Sequence, residues 1–362
     1  MKKSIKLFDP VSDKKEERAL RKVLDSHFWA SGAGQGNVKL FEEKFRKYTG
    51  ADTCLAVNSG TAALHLALSL FNIKNKEVIL PSLSFVSTAH AILYNGGKPV
   101  FVDIEPETLC LDPKKVKEKI NENTAVILPV HFGGMSCNLD EFSSICKKNK
   151  ITLVEDAAHA AGTKYKNKKI GSHGNVVCFS FHPVKNLAMP TGGALCLNQN
   201  SSKKQTKEKI ESLRWCGISD RVEYDYDVTQ LGWNFYMNEF SAAIGIEQLK
   251  KLEKNNRRRK NIAKKYYHEI NVDKKMPFEN SCSYHLYWIL VENREKFMNK
   301  MKKMNIQTGI HYKPIHQMSL YNKKTDLPIT SDVGTKIVSI PIHPNLSDSD
   351  VDFIIKSVNS SV

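Results

Sequence analysis

Strands and helices alternate between residues 54 and 155, and this rhythm constrains the fold more than any other feature of the chain. Short apolar runs rich in β-branched residues predict strands, and segments with apolar residues on one face predict the helices between them. The predicted strands cover residues 54–57, 77–80, 99–102, 125–129 and 151–155, and the predicted helices cover 62–70, 84–95, 113–120 and 138–148. Such alternation is typical of βαβ units. We therefore expect an α/β fold whose mostly parallel sheet is covered by helices on both faces.

The flanking segments predict a second, smaller unit. Two helices are expected before the alternating part, over residues 13–26 and 38–48, and a long charged helix follows it, from residue 241 to about 269. Short strands at 287–291 and 337–340, with helices at 294–304 and 349–358, suit an α+β arrangement. We predict a large domain over residues 10–245 and a small C-terminal domain over residues 246–362, connected by the long helix.

The charge balance bears on the partners of the chain. Lysine and arginine outnumber the acidic residues by 54 to 38, a net charge of +16. These basic residues are spread along the chain, and the tight run Arg257-Arg258-Arg259-Lys260 lies in the long predicted helix. We interpret the excess as a solvated surface that suits an anionic substrate. We expect no nucleic-acid partner, since no binding motif accompanies the charge.

Other features of the composition bear on location. No apolar run approaches the length of a membrane-spanning helix, and the N-terminus turns polar too soon for a signal peptide. The eight cysteines are scattered without metal-binding spacing, several of them in strand-like apolar context. We therefore expect a cytoplasmic protein with reduced cysteines, no metal and no membrane partner.

Three polar sites follow predicted strands, at the edge of a parallel sheet where ligands bind. Ser59-Gly60-Thr61 opens a helix after the strand at 54–57, and Asp156 ends the strand at 151–155. Lys185 follows an apolar strand in a loop. An anion site, a carboxylate and an amine at three strand ends are what pyridoxal phosphate requires for its phosphate, its ring nitrogen and its aldehyde.

Each of these sites also has a structural interpretation. Ser59 or Thr61 could be an ordinary helix N-cap. Asp156 could cap the next helix, and Lys185 could be a solvated surface charge. Their coincidence at three strand ends favours the cofactor site.

Three further residues could complete such a site. His159, three residues after Asp156, could reach the ring hydroxyl of the cofactor or could be structural. Phe85 could stack on the face of the ring or belong to the core. Ser180 precedes Lys185 at the end of its strand and could add a phosphate contact.

The segments that carry these residues are joined by others in a fixed order. They are Asn58-Ser-Gly-Thr-Ala-Ala-Leu-His-Leu-Ala67, Pro81-Ser-Leu-Ser-Phe-Val-Ser-Thr-Ala89, Lys98-Pro-Val-Phe-Val-Asp103, Pro129-Val-His-Phe-Gly133, Glu155-Asp-Ala-Ala-His159, Ser180-Phe-His-Pro-Val-Lys-Asn186, Gly232-Trp-Asn-Phe-Tyr-Met-Asn-Glu239, Gly309-Ile-His-Tyr-Lys-Pro-Ile-His316 and Ser339-Ile-Pro-Ile-His343. In order and spacing they resemble the DegT/StrS-type sugar aminotransferases, which are fold-type I pyridoxal phosphate enzymes. The resemblance runs from about residue 10 to the C-terminus. It implies a large domain with a seven-stranded, mostly parallel sheet and a smaller α+β domain.

The resemblance also implies roles for the residues around the cofactor ring. Lys185 would form the imine with the cofactor and shuttle the proton. Asp156 would bind the ring nitrogen, Phe85 would stack on the ring, and His159 would lie near its hydroxyl.

A second group is implied at the phosphate. Gly60, Thr61 and Ser180 would hold it, with Ser59 beside them. Asn234 is expected to reach the phosphate of the neighbouring subunit's cofactor, which implies a homodimer with two shared active sites.

The substrates implied by the resemblance are a nucleotide-linked keto-deoxy sugar and glutamate, in a ping-pong transamination for surface polysaccharide or glycoconjugate biosynthesis. The run Ser180-Phe-His-Pro-Val-Lys185 is similar to enzymes that aminate C4, whereas Lys185-Asn-Leu resembles those that act at C3; we favour C4. Candidates for contact with the sugar or diphosphate are His311, Tyr312, Lys313 and His316, although these histidines could be structural.

One departure and two alternatives remain. Many family members carry an acidic residue before the paired glycines that follow the lysine, whereas this chain has Ala188-Met-Pro-Thr-Gly192-Gly193, which predicts a differently shaped loop. A sugar dehydratase on the same scaffold would have histidine in place of Lys185. A non-catalytic regulator that binds the cofactor as a ligand would not need the complete set of Lys185, Asp156 and Ser59-Gly60-Thr61.

Overall fold

The computed structural model describes residues 4–321 and 325–362. The strands, in chain order, are β1 (Thr53–Val57), β2 (Glu77–Pro81), β3 (Lys98–Val102), β4 (Thr124–Ile127), β5 (Thr152–Asp156), β6 (Lys164–Tyr165), β7 (Lys168–Lys169), β8 (Val176–Ser180), β9 (Gly193–Leu197), β10 (Ile218–Val222), β11 (Asp225–Val228), β12 (Tyr287–Leu290) and β13 (Ile337–Ile340). The α-helices are α1 (Lys14–Ser26), α2 (Gly36–Thr49), α3 (Gly60–Ser69), α4 (Ser87–Tyr94), α5 (Pro113–Lys119), α6 (Leu139–Asn149), α7 (Lys204–Leu213), α8 (Glu239–Glu269), α9 (Arg294–Lys303), α10 (Pro328–Lys336) and α11 (Asp348–Asn359).

A seven-stranded sheet in the order β1-β9-β8-β5-β4-β2-β3 organises the molecule. The pairs β2–β3, β2–β4, β4–β5 and β5–β8 are parallel, whereas β9 runs antiparallel to both β1 and β8. The predicted α/β class with a mostly parallel sheet is confirmed. The sequence predicts no strand at β9, which begins at Gly193, the second of the paired glycines.

Apolar residues on the two faces of the sheet belong to different cores. Along β1, Cys54 and Ala56 pack into one buried cluster, while Leu55 and Val57 pack into the other. Successive side chains of a strand point to opposite faces, so this sheet buries both of its faces under helices, as the sequence predicts.

Helix α8 is 31 residues long and packs along α1 and α2. Beyond it, β12 and β13 form an antiparallel pair. The predicted domain boundary at residues 245 and 246 falls inside α8, and one apolar cluster spans both predicted domains, with Phe41 and Ile354 among its members. The division into two domains therefore stays a prediction.

The basic run in α8 does not form a single charged face. Arg259 is buried, and Arg258 binds the carboxylate of Asp348 at 2.7 Å. Arg257 is exposed.

Two further properties of the described chain bear on its surroundings. All eight cysteines are free; seven are buried, and Cys216 is exposed. Across residues 4–321 and 325–362, no helix combines the length and the apolar character needed to cross a membrane.

Candidate active site

A cavity of about 300 Å³ opens where β1, β5 and β8 end. Parallel strands bring their carboxyl ends to one edge of a sheet, so residues far apart in sequence meet there. The predicted site residues that line the cavity are Ser59, Gly60, Thr61, Phe85, Asp156, His159, Ser180, Lys185, His311 and Tyr312.

One end of the cavity is formed by the start of α3, where backbone segments approach closely. A Cβ atom on Gly60 would lie 2.7 Å from the Cβ of Ser180, and one on Gly193 would lie 2.3 Å from the carbonyl oxygen of Ser59. The first amides of a helix have no partner within it, and the helix dipole favours an anion there. This end of the cavity therefore suits a phosphate group.

The hydroxyl of Ser59 has a structural role as well. It accepts a hydrogen bond from the amide of Ala62 at 3.1 Å, which makes Ser59 the N-cap of α3. The N-cap interpretation of this side chain is thus correct, although the residue also lines the cavity.

Asp156 ends β5 with its carboxylate buried at the cavity. Its Oδ2 accepts a hydrogen bond from the Thr88 hydroxyl at 2.8 Å, and its Oδ1 accepts one from the amide of Ala158 at 3.1 Å. Burial raises the pKa of Asp156, whereas these two bonds and the charge of Lys185 oppose the rise. No helix starts after Asp156, since the next element is β6, so the helix-cap interpretation is wrong.

Lys185 lies in the turn after β8, where its amide donates to the carbonyl of His182 at 2.8 Å. Its half-buried side chain lines the cavity. Burial lowers the pKa of Lys185 to about 8, and the carboxylate of Asp156 opposes this shift. A desolvated amine of this kind supplies more of the neutral nucleophile than a surface lysine does.

His159 joins this site to the C-terminal part of the chain. Its Nδ1 accepts the amide hydrogen of Gly133 at 3.2 Å, and its Nε2 lies 3.0 Å from the hydroxyl oxygen of Tyr312. Burial and the nearby charge of Lys185 lower the pKa of His159 well below its ordinary value. Because Nδ1 accepts the hydrogen bond from Gly133, the neutral ring carries its hydrogen on Nε2 and donates a hydrogen bond to the Tyr312 hydroxyl.

Phe85 lies in the turn before α4, which begins two residues later than Phe85 and three later than predicted. Its side chain is 56% exposed and lines the cavity, so it is not a core aromatic. Its ring centroid lies 6.0 Å from that of Tyr312. An exposed ring at the mouth of a cavity can cover one face of a flat ligand.

Three predicted residues do not line this cavity. The side chain of Asn234 is exposed, and its carbonyl accepts a hydrogen bond from Asn58 Nδ2 at 3.0 Å. Lys313 is exposed, whereas His316 is buried with its Nδ1 2.7 Å from the Ser82 hydroxyl. The position of His316 agrees with the structural interpretation of that histidine.

Several residues that belong to the site or support it were not identified from the sequence. Thr88 holds the carboxylate of Asp156, and Thr191, in the loop that departs from the family pattern, donates to the carbonyl of Asn58. Phe8 and His285 also line the cavity. Thr88 lies three residues after Phe85, a spacing that could have indicated it; the other three stand in loops without a local pattern.

These donors fit pyridoxal phosphate, the cofactor predicted from the sequence. The narrow end at Gly60 and Ser180 offers amides to a phosphate, Asp156 offers a buried carboxylate to a protonated ring nitrogen, and Lys185 offers an amine to an aldehyde. Phe85 provides the flat apolar neighbour.

Comparison with protein families gives one match along nearly the whole chain. The model of the DegT/DnrJ/EryC1/StrS aminotransferase family matches residues 10–359. Among curated proteins, the chain is 33% identical over 377 residues to the spore coat polysaccharide biosynthesis protein SpsC of Bacillus subtilis (strain 168). This alignment covers 98% of the chain and 96% of the relative. It is 34% identical over 358 residues to the UDP-4-amino-4,6-dideoxy-N-acetyl-β-L-altrosamine transaminase of Campylobacter jejuni (strain 81-176), covering 94% and 93%.

Solved structures of aminotransferases show the same similarity over nearly the whole chain. The chain superposes on Helicobacter pylori PseC, an aminotransferase involved in the biosynthesis of pseudoaminic acid, with a TM-score of 0.93 at 29% identity, over 99% of each chain. It also superposes on the PLP-form of Spr1654 from Streptococcus pneumoniae with a TM-score of 0.92 at 26% identity, over 99% of this chain and 98% of that one.

Proposed function

The chain belongs to the DegT/DnrJ/EryC1/StrS aminotransferase family, and on that premise we propose that it transfers an amino group from glutamate to a nucleotide-linked keto-deoxy sugar. It is an aminotransferase-family enzyme whose cofactor is pyridoxal phosphate. The observation that carries the proposal is the common cavity of Lys185 and Asp156, whose amine and carboxylate are the two groups that transamination on this cofactor requires.

Bound pyridoxal phosphate supplies an electron sink that acidifies the carbon bearing the amino group. In this chain, the carboxylate of Asp156 would hold the proton on the ring nitrogen of the cofactor. Its bonds to Thr88 and Ala158 fix its direction. The amine of Lys185 would act first as a base, taking a proton from that carbon, and then as an acid, delivering the proton to the carbon on the other side of the nitrogen.

The other lining residues position and shield the reacting atoms. The amides of Gly60 and Thr61 and the hydroxyl of Ser180 would hold the phosphate. Phe85 would cover one face of the ring. His159, oriented by Gly133, would serve the ring hydroxyl and keeps Tyr312 in place.

Three observations support a nucleotide-linked sugar as the amino acceptor. The net charge of +16 suits a diphosphate. The Campylobacter relative is named as a transaminase of a UDP-linked 4-amino sugar, and this favours amination at C4 over C3. SpsC is named for polysaccharide biosynthesis, in agreement with a role in surface polysaccharide or glycoconjugate production.

We further infer a homodimer in which Asn234 serves the cavity of the neighbouring subunit. The side chain of Asn234 is exposed and is not among the residues that line the cavity of its own subunit. Nearby in sequence, the hairpin of β10 and β11 exposes apolar residues, with Tyr224 94% and Val222 72% exposed. An exposed apolar hairpin of this kind suits burial against a second copy.

The direct test is a screen of nucleotide keto sugars with glutamate and the purified enzyme, read by the mass of the product and by the absorbance of the cofactor. A 4-amino sugar is the expected product. Release of ammonia from an amino sugar without an acceptor would instead indicate a dehydratase. If glutamate leaves the cofactor spectrum unchanged, the chain is a non-catalytic binder and the proposal fails.

A further inference from the structure

The cavity that Lys185 lines also has a wall of aromatic rings, built largely from the C-terminal part of the chain. His285 stacks on Phe8, with ring centroids 5.5 Å apart and an angle of 13°, and its ring centroid lies 4.3 Å from that of His159. Phe8 also meets the ring of His311 edge-on at 5.6 Å. Phe8, His285 and His311 all line the cavity together with Tyr312.

Phe8 reaches this wall from the N-terminal segment, residues 4–9, which is fixed to the C-terminal part of the chain. Backbone hydrogen bonds join the amide of Ile5 to the carbonyl of Asn305 and the amide of Gln307 to the carbonyl of Ile5, each at 2.9 Å. Nε2 of His343 lies 3.1 Å from the carbonyl of Lys6. The segment therefore holds Phe8 at the cavity instead of trailing into solvent.

Phe8 itself is half-buried, and its ring lies against rings that are already fixed. The amide of His285 donates to the carbonyl of Gly133 at 2.9 Å, and Nδ1 of His311 lies 2.9 Å from the Ser339 hydroxyl. Because its neighbours cannot move freely, the position of Phe8 sets the shape of this end of the cavity.

The chemistry of the wall selects among ligand groups. Burial and the charge of Lys185 lower the pKa of His285 and that of His311, the latter to about 4, so both rings are neutral near pH 7. Among the described residues that line the cavity, Lys185 is the one lysine, and no arginine is present. Carboxylates and diphosphates are recognised by cations, whereas flat neutral rings suit an uncharged ring with apolar C–H faces and hydroxyl groups.

We propose that Phe8 is a specificity-determining residue that packs against the sugar ring of the amino acceptor and not against the amino donor. The inference rests on the proposed function, since it concerns the second half-reaction of the same site. Glutamate has no ring to place on this wall, so Phe8 acts in the sugar half-reaction only.

The two half-reactions can be measured separately on the full-length holoenzyme. In the first half-reaction, glutamate alone transfers its amino group to the cofactor. In the second, a nucleotide keto sugar accepts that amino group and returns the cofactor to its starting form. Phe8→Ala should lower kcat/KM for the sugar about tenfold, the scale of a lost apolar pocket contact, and leave the glutamate half-reaction within about twofold. Phe8→Tyr, which keeps a flat ring, should stay near wild type in both.

Two further measurements separate recognition from structural damage. Phe353→Ala, at an aromatic residue 40% exposed on α11, is the matched control and should change neither half-reaction. Hydrogen exchange of residues 4–9 in the wild type should slow on adding the nucleotide sugar and not on adding glutamate.

The outcomes are distinct. An equal loss in both half-reactions, or protection of residues 4–9 by glutamate, would show that Phe8 only supports the fold, and unchanged sugar kinetics in Phe8→Ala would also overturn the inference. If the wild-type enzyme reacts with glutamate but accepts no nucleotide keto sugar, the proposed function fails first and the inference falls with it.

Discussion

The Nε2 atom of His159 lies 3.0 Å from the hydroxyl oxygen of Tyr312, although 153 positions separate the two residues in the chain. His159 follows β5, whereas Tyr312 stands in a loop between α9 and α10. This hydrogen bond ties the end of the large sheet to the C-terminal part of the molecule across the cavity.

The substitution Tyr312→Phe tests the hydrogen bond between His159 and Tyr312. The substitution leaves the buried Nε2–H of His159 without its partner, so we expect the free energy of unfolding of the cofactor-free protein to fall by about 1–3 kcal/mol in urea denaturation. Tyr236→Phe is the control, because that tyrosine lies outside the cavity lining. Equal stability of Tyr312→Phe and wild type would contradict the importance of the bond.

The pKa of Lys185 predicts how the cofactor-free protein captures pyridoxal phosphate. Burial lowers this pKa from 10.5 to about 8. Since the neutral amine reacts, the capture rate should rise about tenfold per pH unit below pH 8 and level off above it. Absorbance in stopped flow gives the rate. Lys185→Ala should show no capture band and no turnover, whereas Lys313→Ala, at an exposed lysine, should keep the wild-type profile.

The lowered pKa of Lys185 also makes the free energy of unfolding depend on pH. The folded chain releases the proton of Lys185 at lower pH than the unfolded chain, so the contribution of Lys185 to the free energy of unfolding is lowest below pH 8. It rises between about 8 and the unfolded value of 10.5. An inflection of the capture rate near pH 10.5 would show that the amine is not desolvated.

Thr88→Val removes the hydroxyl that donates to Asp156 at 2.8 Å while keeping the size of the side chain. Burial already raises the pKa of Asp156, and losing this bond raises it further. The acidic limb of the pH–activity profile should therefore move to higher pH, with a fall of about tenfold in kcat at its acidic end. Thr88→Ser, which keeps the hydroxyl, should restore the wild-type profile; coincident profiles for valine and wild type would refute the role of Thr88.

Gly60→Ala should close the narrow end of the cavity. The new Cβ would lie 2.7 Å from the Cβ of Ser180, closer than such atoms can approach. We expect the dissociation constant for pyridoxal phosphate to rise at least about tenfold in equilibrium titration. Ser180→Gly relieves the clash, so the double variant should bind no worse than Ser180→Gly alone. Simple additivity of the two losses would argue against the contact.

The shared site predicts complementation between two defective subunits. Lys185→Ala and Asn234→Asp should each lose activity, the second because a carboxylate repels the phosphate. Co-expressed with different tags, they form mixed dimers in which one cavity has an intact Lys185 and an intact Asn234 from the neighbour. Mixed dimers purified through both tags should have about half of the wild-type activity, because one of their two cavities is intact. Activity no higher than that of the separate variants would place Asn234 in its own cavity or exclude the dimer.

Local patterns in the sequence were sufficient to predict most of the elements around the site. The apolar runs of β1, β2, β5 and β8 are buried on both faces, and this produces short continuous hydrophobic segments that periodicity detects. The positions of Ser59, Asp156 and Lys185 followed, because a polar residue after a buried strand in a parallel sheet falls at the ligand-binding edge.

Other features depended on contacts that no local pattern encodes. Strand β9 is an apolar run without a helix before it, and its antiparallel place between β1 and β8 is set by pairing in space. Phe8 and His285 meet through segments nearly 280 residues apart, and neither stands in a motif of its own.

The fold class, the family and the identities of the amine, the carboxylate and the anion site could be inferred from the sequence alone, because short segments around the strand ends carry them. Which side chains surround Lys185, and whether each is charged, depends on how the chain packs. The aromatic wall, the bond from Thr88 to Asp156 and the lowered pKa of Lys185 all arise from burial among distant segments, and burial is a property of the packed chain.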